Sequence, residues 1–132
     1  MPETVKVETS ASLGAAFATA LAAKDFDAIR AMLHPEVDFR GLTPSRSWEA
    51  SDPDALIGSV LRQWFEDSDE IEEMLKLETD AFADRERVGY RFRVRNPEGL
   101  FEVEQQVYIG AVDGQIGWMR SVCSGFRPVA PE

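Results

Sequence analysis

The chain has 132 residues, of which 44% are hydrophobic and 29% charged, and its formal net charge is −10 at pH 7. This size and composition predict one globular domain, residues 1–132, with a core over about 9–128 and loose termini. The negative charge argues against nucleic acid or an anionic membrane as a partner, because phosphate groups require a basic surface. One cysteine and one histidine allow neither an internal disulfide nor a histidine-rich zinc site, and we expect no metal and no cofactor.

The sequence predicts neither a secretion signal nor a membrane span. Residues 1–10 are acidic and polar, whereas a signal peptide begins with a cationic segment. The alanine-rich run 11–23 is shorter than the ~20 apolar residues that cross a bilayer. The sequence therefore predicts a cytoplasmic protein.

The first 33 residues carry two helix patterns. A cap at Thr9 or Ser10 is predicted to begin a helix that ends near residue 23. Apolar residues recur at helical spacing along one face of this helix, at Leu13, Phe17 and Leu21. Asp25 can cap a second helix over 26–33, and the proline that follows ends it.

The next stretch is predicted to contain a short strand, a loop and a third helix. The strand covers 37–40, and the loop covers 41–51 with Trp48 as a single large apolar anchor. Asp52, followed by a proline, caps the third helix, which runs to about residue 66. The acidic run 66–73 is predicted to be a solvated connector.

The second half of the chain predicts an antiparallel meander. Apolar and charged residues alternate over 88–95 and again over 100–109, on either side of turn residues at 96–99. The register set by this turn pairs Arg93 with Glu102, Arg91 with Glu104, Tyr90 with Gln105, Phe92 with Val103 and Val94 with Phe101. A preceding strand, about 74–82, is predicted to place Lys76 beside Arg93 and Glu78 beside Arg91.

A second hairpin is predicted to lead into the last strand. Its turn at 113–114 is an Asp-Gly pair, which suits a type I′ turn. Counting from this turn places Trp118 and Arg120 on the apolar face of the sheet. Arg120 would then lie close to Tyr90 and Gln105. A β-bulge at one of the hairpin's glycines would reverse that placement.

Helices gathered early and strands gathered late predict an α+β fold. Three stretches carry a more specific pattern: the turn into the second helix at 23–30, the His-Pro-Glu-Val run at 34–37, and the closing strand at 114–120. Together they resemble the NTF2-like superfamily, which includes SnoaL-like polyketide cyclases and ketosteroid isomerases. The resemblance covers about 9–128. It implies a cystatin-like, curved antiparallel sheet wrapped around three N-terminal helices, an apolar pocket, and a homodimer.

The resemblance also says where catalytic residues would lie. An isomerase-like base belongs at the end of the first strand, where this chain has Arg40 or Gly41, and Asp38 is the nearest carboxylate. A tyrosine donor belongs on the first helix, where this chain has Phe17. Dehydratase-like members use a pair of histidines, and this chain has only His34. Each of these reactions therefore lacks at least one counterpart.

Arg120, Asp38 and His34 are the candidate catalytic residues. A guanidinium on an apolar face needs a carboxylate or a ligand anion beside it, so Arg120 would anchor a carboxylate or enolate oxygen, or form a structural ion pair. Asp38 at a pocket mouth could act as a base, and His34 titrates near neutral pH. Alternatively, His34 belongs to a turn and Asp38 faces solvent.

The candidate ligand-binding residues are Tyr90, Gln105, Trp118, Arg120, Trp48 and Trp64. Tyr90 and Gln105 would face the pocket or pair within the core, and the tryptophans would form its wall or the core. The predicted partner is a small apolar molecule with an acceptor oxygen. The predicted function is binding of this molecule, with or without isomerase-, cyclase- or dehydratase-like chemistry. One alternative is a non-catalytic ligand-binding or dimerisation module, and another is a degenerate member of the fold with a closed core.

Overall fold

The structure, a computed structural model, describes residues 12–129. Its elements in chain order are α1 (Leu13–Ala22), α2 (Phe26–Met32), β1 (Leu33–Thr43), β2 (Arg46–Ala50), α3 (Pro53–Ala55), a π-helix (Leu56–Leu61), α4 (Arg62–Trp64), β3 (Glu70–Phe82), β4 (Arg85–Asn96), β5 (Gly99–Val112), β6 (Gln115–Cys123) and β7 (Arg127–Pro128). The predicted caps Thr9 and Ser10 lie outside the described residues.

Short polar side chains begin the helices. Ser12 accepts a hydrogen bond from the Ala15 N–H at the start of α1. Asp25 and Asp52 do the same for α2 and α3, as predicted. These side chains satisfy backbone N–H groups that have no partner within the helix.

The predicted third helix is a composite segment. The chain is helical from α3 to the end of α4, but its central six residues form a π-helix. The buried residues of that turn are Leu56, Ile57, Val60 and Leu61. A set of three regular N-terminal helices is therefore not what the structure shows: two helices precede the sheet, and the composite segment follows β2.

The glutamate at the start of β4 fixes α1 on the sheet. The Ser12 hydroxyl donates to Glu86 Oε2 at 2.6 Å, and the Gly14 N–H donates to Glu86 Oε1 at 3.1 Å. A carboxylate is favourable here because the helix N-terminus carries partial positive charge. Gly14 permits the close approach, since a Cβ at this position would lie 2.8 Å from the Val88 Cβ.

The seven strands found between residues 12 and 129 form one sheet in the order β2-β1-β6-β5-β4-β3, with β7 beside the start of β5. Strands β1 and β6 are parallel, and the other described pairs are antiparallel. The predicted fully antiparallel sheet is wrong at this junction, because β6 returns from the meander to lie beside β1. The α+β class is as predicted.

The predicted loop at 41–51 is also wrong. Strand β1 continues to Thr43, and β2 pairs back against it, with Gly41 opposite Trp48. The tight turn between Thr43 and Arg46 makes this hairpin possible. The indole of Trp48 is held there by donating to Thr43 Oγ1 at 3.0 Å.

The central hairpin follows its predicted register throughout, including Arg91 opposite Glu104 and Tyr90 opposite Gln105. The pairing of β3 with β4 differs, since Lys76 lies opposite Arg91 and Glu78 opposite Gly89. The connecting turn uses two residues where four were predicted. A shift of two residues leaves the side chains of 76–82 on their predicted faces. Irregularities between Met74 and Lys76 and between Ile71 and Glu73 change the register before them.

Strands β5 and β6 contain the bulge that reverses Trp118 and Arg120. Their turn has positive φ at both central residues, as a type I′ turn requires. Gly110 then pairs with Trp118 and Ala111 with Ile116, so Gly117 is an extra residue in β6. The predicted placement of Trp118 and Arg120 on the apolar face is therefore wrong, and both lie on the outer face.

The inner face of the sheet packs against the helices to form the core. The largest fully buried side chains of this core, from the sheet and the helical segments together, are Tyr90, Phe17, Phe39, Phe65, Phe92, Leu21, Ile29, Leu56, Leu61, Ile109, Ile116 and Met119. Phe65 links the composite segment to the sheet, with ring centroids 5.9 Å from both Phe92 and Phe126. Between residues 12 and 129, no helix is long and apolar enough to cross a membrane.

The outer face carries an ion pair that predicts acid sensitivity. Arg91 donates to Glu104 Oε1 from Nη2 at 2.8 Å and from Nε at 3.0 Å. The hydrogen bond from Arg91 is the main cause that lowers the pKa of Glu104 below its ordinary 4.5. The stabilisation is therefore present above pH 4.5 and is lost as the pH falls through the lowered pKa.

Lowering the pH to about 3 is expected to reduce the free energy of unfolding, and we expect Glu104→Gln to make that reduction smaller by about 0.2–1 kcal/mol, because the pair is partly exposed. Urea titrations at neutral and acid pH measure this. Glu102→Gln on the same strand is the control. An unchanged acid dependence in Glu104→Gln would contradict the assignment.

Candidate functional site

Tyr90 and Gln105 form a polar pair in the core. They lie opposite each other on β4 and β5, and the Tyr90 hydroxyl donates to Gln105 Oε1. Both residues are 1% exposed. The Tyr90 ring stacks on Phe92 at 4.9 Å and lies 6.4 Å from Phe17. Packing and the hydrogen bond therefore fix the orientation of both polar groups.

Burial keeps the Tyr90 hydroxyl protonated. Desolvation raises the pKa of Tyr90 well above its ordinary 10.0, and the nearby Cys123 acts in the same direction. Because a phenol with a raised pKa holds its proton, Tyr90 acts at neutral pH as a hydrogen-bond donor and not as a base.

Further polar atoms in this region are buried without a hydrogen-bond partner among residues 12–129. They include Gln105 Nε2, Ser121 Oγ and Trp64 Nε1. Ser121 lies in β6 between Gly41 of β1 and Val107 of β5, one strand from Gln105. An unpaired buried polar group costs about 1–3 kcal/mol, so several together are unusual in a core. We call Tyr90, Gln105 and Ser121 the inner cluster.

Gly41 leaves room for rings beside the inner cluster. A Cβ at Gly41 would lie 2.8 Å from Phe39 Cζ and 3.2 Å from Trp64 Cη2. Trp64 packs edge-on against Phe39 and Trp48, with both centroid distances 5.9 Å. Two of the three candidate tryptophans, Trp48 and Trp64, thus pack against each other beside Gly41.

Arg120 and Asp38 meet on the outer face of the sheet. Arg120 Nη1 donates to the carbonyl oxygens of Asp38 at 2.9 Å and Met119 at 3.0 Å. Its Nη2 lies 3.4 Å from Asp38 Oδ2. The third tryptophan, Trp118, lies 4.5 Å from the Arg120 guanidinium and 4.1 Å from that of Arg85. This is the ion-pair alternative that the sequence left open for Arg120.

The structure therefore divides the candidate residues between two faces. Tyr90 and Gln105 lie inside, whereas Arg120 and Asp38 lie outside, with the sheet between them. His34 Nδ1 accepts a hydrogen bond from the Glu36 N–H at 3.0 Å, which is a local turn contact. The candidate catalytic residues and the inner cluster do not form one constellation.

A groove of about 400 Å³ crosses the outer face of β2, β1, β6 and β5. Its side chains include Arg40, Leu42, Ser47, Tyr108, Arg120 and Val122. We call this the outer groove. Within the described part of the chain, no group of three or more His, Cys, Asp or Glu residues is arranged to hold a metal ion.

Sequence reasoning missed Ser121 and most of the outer groove. The bulge at Gly117 places Ser121 on the inner face of the sheet, opposite to the face that the predicted register gives it. The glycine inside the strand was the one sequence signal for this bulge. Arg40 and Tyr108 come together only through the parallel pairing of β1 with β6. No local pattern marks a contact between segments so distant in sequence.

Proteins of known structure share this architecture. A proposed isomerase from Rhodopseudomonas palustris is 15% identical, covers 83% of this chain and 87% of its own, and has a TM-score of 0.68. An NTF2-like protein from Burkholderia thailandensis E264 is 18% identical over 83% of this chain and 86% of its own, with a TM-score of 0.62. An LEH-like epoxide hydrolase from M. tuberculosis is 15% identical over 83% of this chain and 77% of its own, with a TM-score of 0.60.

No protein-family model and no curated protein matches the sequence. At these identities the structural likeness defines the fold alone. The chain has the NTF2-like fold, and the resemblance predicted from its motifs is confirmed at that level.

Proposed function

We propose that this protein binds a small, mainly apolar molecule with one acceptor oxygen at the inner cluster, and that it does so without catalysing a reaction. The observation that carries the proposal is the pair of buried, unpartnered polar atoms Gln105 Nε2 and Ser121 Oγ. Gln105 Nε2 donates only, and the Ser121 hydroxyl can also donate, so the ligand that fits both is one that accepts.

The orientation of the Gln105 amide supports an acceptor. Because the Tyr90 hydroxyl donates to Oε1, the amide is left with two free N–H groups. The rings of Phe17 and Phe92 pack against the ring of Tyr90, whose hydroxyl bonds this amide. A ligand oxygen would satisfy the donors, and its carbon skeleton would pack against the rings.

The chemistry of the buried groups favours binding over proton transfer. General-base catalysis needs a group that is unprotonated near neutral pH and within hydrogen-bond reach of the ligand. In the inner cluster, the raised pKa of Tyr90 excludes that role for its hydroxyl. Asp69 is the buried carboxylate of the described chain, and it already accepts from the Asn96 amide and the Glu66 N–H.

Ligand binding is testable without knowing the natural ligand. Native mass spectrometry of the purified protein would detect a co-purified molecule, and a panel of neutral cyclic ketones supplies defined probes. We expect at least one ketone to bind, and Ser121→Ala and Gln105→Leu each to weaken it about fivefold, the loss of one hydrogen bond. Glu102→Gln, on the outer face of β5, is the control.

Three results would count against this function. Ketone affinity that is equal in both variants and the wild type would remove the inner cluster as the site, as would a complete absence of binding across the panel. Consumption of a bound ketone by the wild-type protein would contradict the non-catalytic part.

A further inference from the structure

The outer groove is built from two rows of side chains that cross four strands. The first row is Glu49, Arg40, Arg120 and Tyr108, each opposite the next in the sheet register. The second row is Ser47, Leu42, Val122 and Gln106. The three charged side chains thus lie in the first row, and the two apolar side chains, Leu42 and Val122, lie in the second.

The first row places two like charges side by side. Arg40 of β1 is directly opposite Arg120 of β6. Among residues 12–129, no carboxylate forms an ion pair with Arg40, although Glu49 lies opposite it on β2. Like charges directly across a pair of strands are unfavourable, and an anion between them would turn repulsion into attraction.

The second row supplies exposed apolar surface beside the arginines. Leu42 is 53% exposed and Val122 is 55% exposed, and they are opposite each other in the register. Trp48 also borders the groove, although its ring packs against Trp64. The hydroxyls of Ser47 and Tyr108 also line it and are potential hydrogen-bond donors.

The carboxylates beside the two arginines limit how much negative charge a ligand of the groove can carry. Arg40 and Arg120 bring two positive charges, whereas Glu49 in the same row and Asp38 beside Arg120 bring two negative ones. A dianion such as a phosphate monoester would be repelled by the two carboxylates. A single carboxylate can instead accept from both guanidiniums, whose planar geometry matches it.

We propose that the outer groove is a binding site for a small amphiphilic monocarboxylate. Its carboxylate lies between Arg40 and Arg120, and its hydrocarbon part covers Leu42 and Val122. The volume of about 400 Å³ falls in the lower part of the range for small-molecule sites. The two arginines, Leu42 and Val122 lie on the opposite face of the sheet from Tyr90 and Gln105. Ser121 of the inner cluster also borders the groove.

Octanoate is a suitable probe, and isothermal titration calorimetry at low salt is the measurement. We expect octanoate to bind the wild-type protein, Arg40→Gln to weaken binding about tenfold or more, and added salt to weaken it further. Leu42→Ser should also weaken octanoate binding, because it removes the apolar contact with the hydrocarbon chain. Arg95→Gln, which alters an ion pair between β3 and β4, is the matched control and should leave binding unchanged.

Three outcomes would overturn the proposal. They are octanoate affinity unaltered by Arg40→Gln, 1-octanol binding as tightly as octanoate, and a wild-type dimer that covers the groove and fails to bind octanoate. Sedimentation velocity on the same samples measures the last of these. Because Gln105→Leu and the neutral ketones probe the other face, failure here leaves the inner cluster's function standing, and the reverse also holds.

Discussion

Gly117→Ala is expected to lower the free energy of unfolding by about 1–3 kcal/mol, the usual cost of adding volume where there is no room. An added Cβ would lie 2.4 Å from Val112 Cγ2 and 2.8 Å from Val112 Cβ. Val112 is the last residue before the turn, and Gly117 is the extra residue of the bulge. Relieving this clash therefore requires the hairpin backbone to move. Chemical denaturation would measure the resulting loss in free energy of unfolding.

Gly58→Ala is the matched control for this substitution. Gly58 lies in the π-helix, and a Cβ there would meet nothing within 4 Å. Alanine is a better helix former than glycine, so we expect a gain of up to about 1 kcal/mol. Removing the clash with Val112→Gly should make Gly117→Ala less costly than in the wild-type background. An equal cost in both backgrounds would show that the contact with Val112 is not the reason.

Gly117 also shows where the structure of a sheet can and cannot be predicted from sequence. The pairing of β4 with β5 could be predicted, because a tight turn and unbroken alternation set one register and its two faces agree. The turn between β5 and β6 was predicted correctly too. One unpaired residue after it moves Trp118 and Arg120 to the other face, since side chains alternate with a period of two.

The helix starts were predictable for a different reason. Asp25 and Asp52 act within their own turn, so the information lies within three residues of each cap. The parallel pairing of β1 with β6 joins segments about 80 residues apart and has no such local signal. The outer groove depends on that pairing, and sequence could not predict it.

The candidate site was predicted in part for the same physical reasons. Tyr90 and Gln105 were placed together correctly because both lie in the predictable hairpin. Arg120 was expected beside them and instead meets Asp38 on the opposite face. The bulge keeps a guanidinium out of the core and buries Met119 and Ser121 in its place.

Tyr90→Phe and Gln105→Leu are each expected to lower the free energy of unfolding by about 1–3 kcal/mol, because each leaves one buried polar partner unsatisfied. The double variant should be more stable than the sum of the two losses predicts, by about 1 kcal/mol or more, since it leaves neither partner behind. A double-mutant cycle in urea measures this coupling. Additive losses would mean that the hydrogen bond contributes nothing.

Alkaline pH provides an independent measurement of the same pair. Burial raises the pKa of Tyr90 in the folded protein, whereas the unfolded chain ionises near the ordinary 10.0. The folded state therefore holds this proton more tightly, and its stabilising effect is present below pH 10 and lost as the pH rises above it. We expect Tyr90→Phe to reduce that alkaline loss of stability. Tyr108→Phe, on the outer face of β5, is the control and should leave that loss unchanged.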